Sequence, residues 1–315
     1  MKTIGVDIGG MSIKIGLVEN GKILDKTSFK TVSDATQGIQ NIIDCILTLL
    51  KNNSLSLSEL SGIGIGCPGL VSTDIGLIEI LPNIGWQKVY IKEIIERELH
   101  VPVKITNDAN AATLGEAMYG CAKDYSSCVA YIIGTGVGGG IVINGSIYEG
   151  EFGKGAELGH TTLVYNGLEC TCGRRGCVET YVSATALINQ TKQAMLDDKN
   201  TLMWQAVNGD LQSVNGKTAF DCAKLGDKTA ENVVNTYLSY LSEAVMNMLN
   251  IFRPEAFIIG GGISGEGRYL TDKIIEYVEK FDYGYKNAPK TEILTATLGN
   301  NAGIVGAASL FNKKQ

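Results

Sequence analysis

The stretch from His160 to Cys177 reads HTTLVYNGLECTCGRRGC, and it sets one of the chain's 2 histidines ahead of Cys170, Cys172 and Cys177. Three thiolates and an imidazole make up the closed four-ligand set of a structural zinc site, whereas a catalytic zinc keeps one position open for water. The alternative is three small buried hydrophobes beside an unrelated histidine. CxCGxxGC with its flanking glycines is poor core sequence and good metal-loop sequence, so zinc on His160, Cys170, Cys172 and Cys177 is expected. The metal would fix one ring nitrogen of His160, set its tautomer and leave the other nitrogen for a ligand hydroxyl. The second histidine, His100, ends a polar helix pattern before Val-Pro and reads as a surface residue.

The glycines offer a second chemistry. DIGG at 7–10 and IGTGVGGG at 133–140 each lie between consecutive strand patterns. A tight strand-turn-strand loop without side chains lets backbone N–H groups approach a polyphosphate, and glycine takes the required angles cheaply. That reading makes Gly9, Gly10, Gly134, Thr135, Gly136 and Gly138 candidate nucleotide contacts, against the alternative that the glycines only close hairpins. FIIGGGIS at 257–264 ends a strand with Gly260, Gly261 and Gly262, a shape suited to a flat adenine-ribose unit. GIGCPG at 64–69 and GTGVGG at 134–139 also fit GxGxxG, but the dinucleotide fold needs a helix directly after the loop, and neither context supplies one.

These residues must be carried by elements. KTIGVDI, SIKIGLV and KILDKTSF read as a meander of three antiparallel strands. Residues 34–51 follow as an amphipathic helix behind the cap candidate Asp34. LSGIGIG, IGLIEI and VPVKIT read as strands, YIKEIIEREL as a helix, and NDANAATLGEAMYG as a helix capped by Asn or Asp. SCVAYII and IVING repeat the strand-turn-strand opening. Helical patterns then run to about residue 250, followed by the strand EAFIIGG, a helix near 268–280, the strand TEILTA and a last helix through NAGIVGAASLF. The repeated pattern predicts two related lobes: 1–116 plus 301–315, and 117–300.

With 315 residues, 44% hydrophobic and 19% charged, the chain can bury a substantial core and is not disordered. The net charge of -6 argues against a nucleic-acid groove or an anionic membrane surface. No secretory signal or membrane-spanning run is legible. A cytoplasmic protein with small-molecule partners is expected, and its 8 cysteines would then stay reduced.

Taken jointly, DIGG, NDANAA at 107–112, IGTGVGGG, GAELGH at 155–160, CTCGRRGCVE ending at Glu179, and IIGGGIS resemble the ROK group of sugar kinases in the actin-like, hexokinase-like ATPase superfamily. The resemblance implies an α/β, actin-like (ribonuclease H-like) ATPase fold with a cleft between two lobes that close over the substrates. It implies transfer of phosphate from ATP to a sugar, foremost the 6-hydroxyl of glucose, with N-acetylmannosamine, fructose or a β-glucoside as the other acceptors. A sugar-binding protein without catalysis is the remaining alternative within the family.

The same resemblance assigns Asp108 as the base that accepts the hydroxyl proton, rather than a plain helix cap, and places Asn107, Glu157, His160 and Glu179 on sugar hydroxyls, with Asn83 a further candidate. It assigns Asp7 to Mg2+ beside the triphosphate, and it implies a homodimer. Met11 stands where the family usually has threonine and Ser12 where it has lysine; Met11 has no hydroxyl to donate to phosphate, so either Ser12 takes that role or the backbone amides suffice. Family members that act as sugar-responsive repressors carry a DNA-binding segment before the first glycine loop. Asp7 leaves no room for one, and a kinase is expected.

Overall fold

The computed structural model describes residues 1–284 and 287–312. The chain opens with strands β1 (Lys2–Ile8), β2 (Ser12–Glu19) and β3 (Lys22–Lys30), then helix α1 (Ala35–Asn52). Next come β4 (Leu60–Cys67), β5 (Leu70–Ser72), β6 (Leu77–Leu81), β7 (Trp86–Val89), α2 (Ile91–Leu99), β8 (Val103–Asn107) and α3 (Asp108–Tyr119). Strands β9 (Cys128–Ile133), β10 (Val137–Ile143) and β11 (Ser146–Ile147) precede the helices α4 (Glu179–Val182), α5 (Ala184–Asp197), α6 (Met203–Ala206), α7 (Thr218–Lys224) and α8 (Lys228–Phe252). The chain then runs through β12 (Ala256–Gly261), α9 (Arg268–Phe281), β13 (Glu292–Thr295) and α10 (Ala302–Ser309).

Two five-stranded sheets carry the fold, in the orders β3-β2-β1-β4-β8 and β11-β10-β9-β12-β13. The two orders correspond strand for strand, so the repeat expected from the sequence is present in the topology. The opening meander is antiparallel, with Asp7 paired to Lys14 across β1 and β2. β1 then pairs parallel with β4, and β4 with β8. A small sheet, β5-β6-β7, was only partly foreseen: β5 and β7, with 3 and 4 residues, are too short to give a periodic pattern.

Contacts divide the chain into two compact units. The first holds residues 1–128, 139–156 and 297–315, and the second 129–138 and 157–296. In the first unit, Ile4, Val6, Ile8, Ile13 and Ile15 pack with Ile39, Ile42 and Ile46 of α1. Full burial of such a side chain contributes about 1.5–3 kcal/mol. Asp34 caps α1 as expected, its carboxylate accepting from the Gln37 N–H at 2.8 Å. Trp86 is 1% exposed, lies on Gly38, and donates its indole N–H to the Val32 carbonyl at 3.0 Å.

Helix α10 sits on β1, β4 and α3 at backbone distance. A Cβ on Gly5 or Gly64 would run into the carbonyls of Ile304 or Ala307, and one on Gly306 into the carbonyl of Ala111. In the second unit, Tyr131 meets Phe257 edge-on at 5.3 Å and donates its hydroxyl to the Ala244 carbonyl of α8 at 3.2 Å. Among the described residues, no helix is long and apolar enough to cross a membrane.

Candidate active site and cysteine-histidine cluster

In the first unit, β8 ends where α3 begins, and NDAN spans the junction. Asn107 is the helix cap: its Oδ1 accepts from the N–H groups of Ala109 at 2.8 Å and Asn110 at 3.4 Å. Its Nδ2 donates to the Gly69 carbonyl at 3.4 Å. Asp108 is thus the first helical residue and not the cap, although its Oδ1 also lies 2.8 Å from the Ala109 N–H. Its charge joins burial in holding the thiol of Cys67, at the end of β4, well above the usual range.

Asp7 is the penultimate residue of β1, and its carboxylate takes an ion pair from Lys14 at 3.2 Å. It also lies against the start of α10, where a Cβ on Gly303 would come within 2.7 Å of its Cγ. The DIGG turn is braced by Gly9 N–H donating to the Ser12 carbonyl at 3.1 Å and by the Thr31 hydroxyl donating to the Gly9 carbonyl at 2.7 Å. Met11 stands 88% exposed at its tip. Asn83, in the turn between β6 and β7, has its Cβ 4.0 Å from where a Gly10 Cβ would be. The first unit therefore gathers Asn83 with the DIGG turn.

Two acids in this unit gave no sequence signal. Glu116 of α3 is 0% exposed and accepts from the backbone N–H groups of Thr297 at 2.9 Å, Leu298 at 2.7 Å and Cys121 at 3.0 Å, which fixes the chain entering α10. Glu149 accepts the Thr106 hydroxyl on β8, one residue before Asn107. Desolvation raises its carboxyl, opposed by that hydrogen bond and by the charge of Lys104. Apart from Cys121, their partners lie far away along the chain, and no local pattern announces them.

In the second unit the cysteines and His160 converge. The donor atoms of His160, Cys170, Cys172 and Cys177 all lie within 4.8 Å of one another. Cys172 and Cys177 sulfurs are 3.7 Å apart, and Cys170 Sγ is 3.6 Å from His160 Nδ1. Tetrahedral zinc, with bonds of about 2.3 Å to sulfur and about 2.0–2.1 Å to nitrogen, would hold its ligands roughly 3.8 Å (S to S) and 3.6 Å (S to N) apart. The donor set and spacing fit such an ion.

The local fold explains how so short a segment does this. Gly173 and Gly176 take φ of +87° and +78°, the left-handed region that glycine enters at least cost. A Cβ on Gly176 would strike the Val164 carbonyl. The Cys170 N–H donates to the Arg174 carbonyl at 2.9 Å, and Arg174 donates to the His160 carbonyl at 3.0 Å. The thiols differ in their surroundings. The Arg174 backbone N–H, foremost, lowers exposed Cys172, while burial and then the neighbouring sulfurs push Cys177 up to about 12.

The acids expected beside the cluster are there. Desolvation is the largest influence on the Glu157 carboxyl and raises it; the His160 ring opposes this and the Glu179 carboxylate adds to it. Glu179 opens α4, and its Oε2 accepts the backbone N–H of Val137 at 2.9 Å, while Oε1 lies 3.9 Å from Cys170 Sγ. The carboxylate expected on sugar hydroxyls is therefore also bound to the second glycine loop. In that loop Gly134 and Thr135 are exposed, with the Gly134 N–H donating to the Gly136 carbonyl at 2.9 Å. Gly260 and Gly261 close β12, where Gly261 takes φ of +86°, and Gly262 starts a short 3-10 turn.

Two repeated five-stranded sheets, each beginning with a glycine-turned hairpin, define a protein of the actin-like ATPase fold. The ROK family model matches residues 3–314, and the chain belongs to the ROK family. It is 36% identical to a glucokinase of Halalkalibacterium halodurans over 99% of this chain and 95% of that protein. A glucokinase of Streptomyces coelicolor is 34% identical over 98% and 96%. Among solved structures, a ROK family glucokinase from Streptomyces griseus in complex with glucose and AMPPNP superposes with a TM-score of 0.82 at 32% identity, covering 98% of this chain and 99% of that one.

Proposed function

We propose that this chain is an ATP-dependent glucose kinase that transfers the γ-phosphoryl group of ATP to the 6-hydroxyl of glucose. The observation that carries the reading is its near full-length likeness to a ROK glucokinase crystallised with glucose and AMPPNP. Phosphoryl transfer demands positioning, charge neutralisation and a proton acceptor. The reading gives Asp108 the last role. The O6–H proton passes to its carboxylate as O6 bonds to the γ-phosphorus, the bond from that phosphorus to the bridging oxygen breaks, and ADP leaves. Because Asn107 supplies the helix cap, the capping role does not account for Asp108.

Glu157, His160 and Glu179 are assigned to glucose hydroxyls, since carboxylates and a neutral imidazole accept or exchange several directional hydrogen bonds. Asn107 and Asn83 are assigned to the same sugar. The turn at Gly9, Gly10 and Ser12 and the turn at Gly134, Thr135, Gly136 and Gly138 are assigned to ATP phosphates, with the N–H groups of Gly9 and Gly134 bracing the turns through the Ser12 and Gly136 carbonyls, and Gly260–Gly262 is assigned to its adenosine. Mg2+, bound to the triphosphate, would be held at Asp7 and would offset phosphate charge. Zinc on His160, Cys170, Cys172 and Cys177 would leave His160 Nε2 for the sugar, because Nδ1 is the nitrogen facing Cys170.

The direct test is a panel of glucose, N-acetylmannosamine, fructose and a β-glucoside with ATP, read by coupled ADP detection, with NMR locating the new phosphate ester. Glucose should give the highest kcat/KM and a 6-phosphate product. A tenfold preference for another sugar, or phosphate at another carbon, would reject the assignment.

A further inference from the structure

The second glycine loop is held from several sides by the segments that carry the cysteine-histidine cluster. Glu179 Oε2 accepts the Val137 N–H at 2.9 Å, and a Cβ on Gly136 would collide with that same oxygen. Two residues past α4, the Ala184 N–H donates to the Gly134 carbonyl at 2.9 Å, and the Thr185 hydroxyl donates to the Thr135 carbonyl at 2.8 Å. Gly159, beside His160, packs on the Val137 carbonyl so closely that a Cβ there would clash. The other oxygen of Glu179 faces Cys170 Sγ at 3.9 Å, and that sulfur lies 3.6 Å from His160 Nδ1. Glu179 thus has one oxygen on the loop and one on the cluster, all within the second unit.

We infer that Glu179 is a positioning residue for nucleotide: its carboxylate transmits the geometry of the cysteine-histidine cluster to the Gly134–Gly138 loop and holds the Val137 N–H in place. The inference rests on the reading of that loop as a phosphate contact. A carboxylate serving only sugar hydroxyls would leave nucleotide affinity untouched when no sugar is present. A strut between cluster and loop would not. Glu179→Ala removes the acceptor, whereas Glu179→Gln keeps an amide oxygen for the Val137 N–H and loses only the charge.

The experiment titrates a fluorescent ATP analogue in the absence of sugar, on unaltered protein and on both variants. Glu179→Ala should weaken nucleotide binding about tenfold, the loss of one well-placed hydrogen bond of roughly 1.4 kcal/mol, and Glu179→Gln should stay within about threefold. Chelation of the unaltered protein should also weaken nucleotide binding, and added zinc should restore it. Nucleotide affinity within twofold of the parent, in Glu179→Ala or after chelation with circular dichroism unchanged, would overturn the inference.

Hydrogen exchange at the Val137 amide keeps the test open if Glu179→Ala does not fold. That amide should stay within about threefold of the parent's exchange rate in Glu179→Gln and exchange faster after chelation, and exchange unchanged after chelation would equally overturn it. If the unaltered protein binds no nucleotide, the kinase reading fails, while the exchange of Val137 still reports whether the strut exists.

Discussion

Thr106 and Glu149 meet one residue before Asn107, and their hydrogen bond has a pH signature. Desolvation raises the folded-state carboxyl of Glu149, so the folded protein keeps a proton that the unfolded chain has already released. Stability from this group is therefore present at low pH and is lost as pH rises from the ordinary carboxylate range through the raised folded value. Glu149→Gln removes that dependence and still accepts the Thr106 hydroxyl. The difference in Tm between variant and parent should be more favourable to the variant at pH 7 than at pH 4. Equal differences at the two pH values would count against the raised carboxyl. Residues of this kind were invisible in the sequence because their partners lie 43 positions away in the chain, as those of Glu116 lie 181 and 182 positions away. The cysteines of the cluster were legible for the opposite reason: Cys170, Cys172 and Cys177 fall within one short loop, with spacing and glycines that suit metal binding better than a core.

At the scale of elements, glycines that look alike in sequence have different duties. The pattern NAGIVGAASLF announced an apolar helix, and α10 is one. It did not announce that Gly306 lies on the carbonyl of Ala111 in α3, or that Gly303 borders the Asp7 carboxylate, because close approach depends on what packs opposite. Gly306→Ala should force α10 away from α3, the helix that begins at Asp108. Overpacking of this kind costs about 1–3 kcal/mol, a fall in Tm of roughly 2–10 °C. A thermal melt indistinguishable from the parent would contradict the packing described. The meander of β1, β2 and β3 was readable from alternation and turn residues, whereas short strands such as β5 and β7 lack the length for a period.

For the whole molecule, the repeat of one sheet order is the feature that sequence conveyed best, since SCVAYII and IVING restate the opening hairpin. The course of the chain between units was not legible. Strand β10 runs through the change from one to the other at residues 138 and 139 with no linker or compositional break. The chemical reading likewise divides its residues, with Asp108 and Asp7 in the first unit and Glu157, His160 and Glu179 in the second. Its central claim is that Asp108 accepts the proton of the attacking glucose hydroxyl. The most direct test compares glucose-dependent ADP formation and equilibrium glucose binding in the parent and in Asp108→Asn. Loss of a general base typically lowers turnover about 10²–10⁴-fold. The account predicts a fall of that size in kcat with glucose affinity within about threefold; turnover within tenfold of the parent would contradict it.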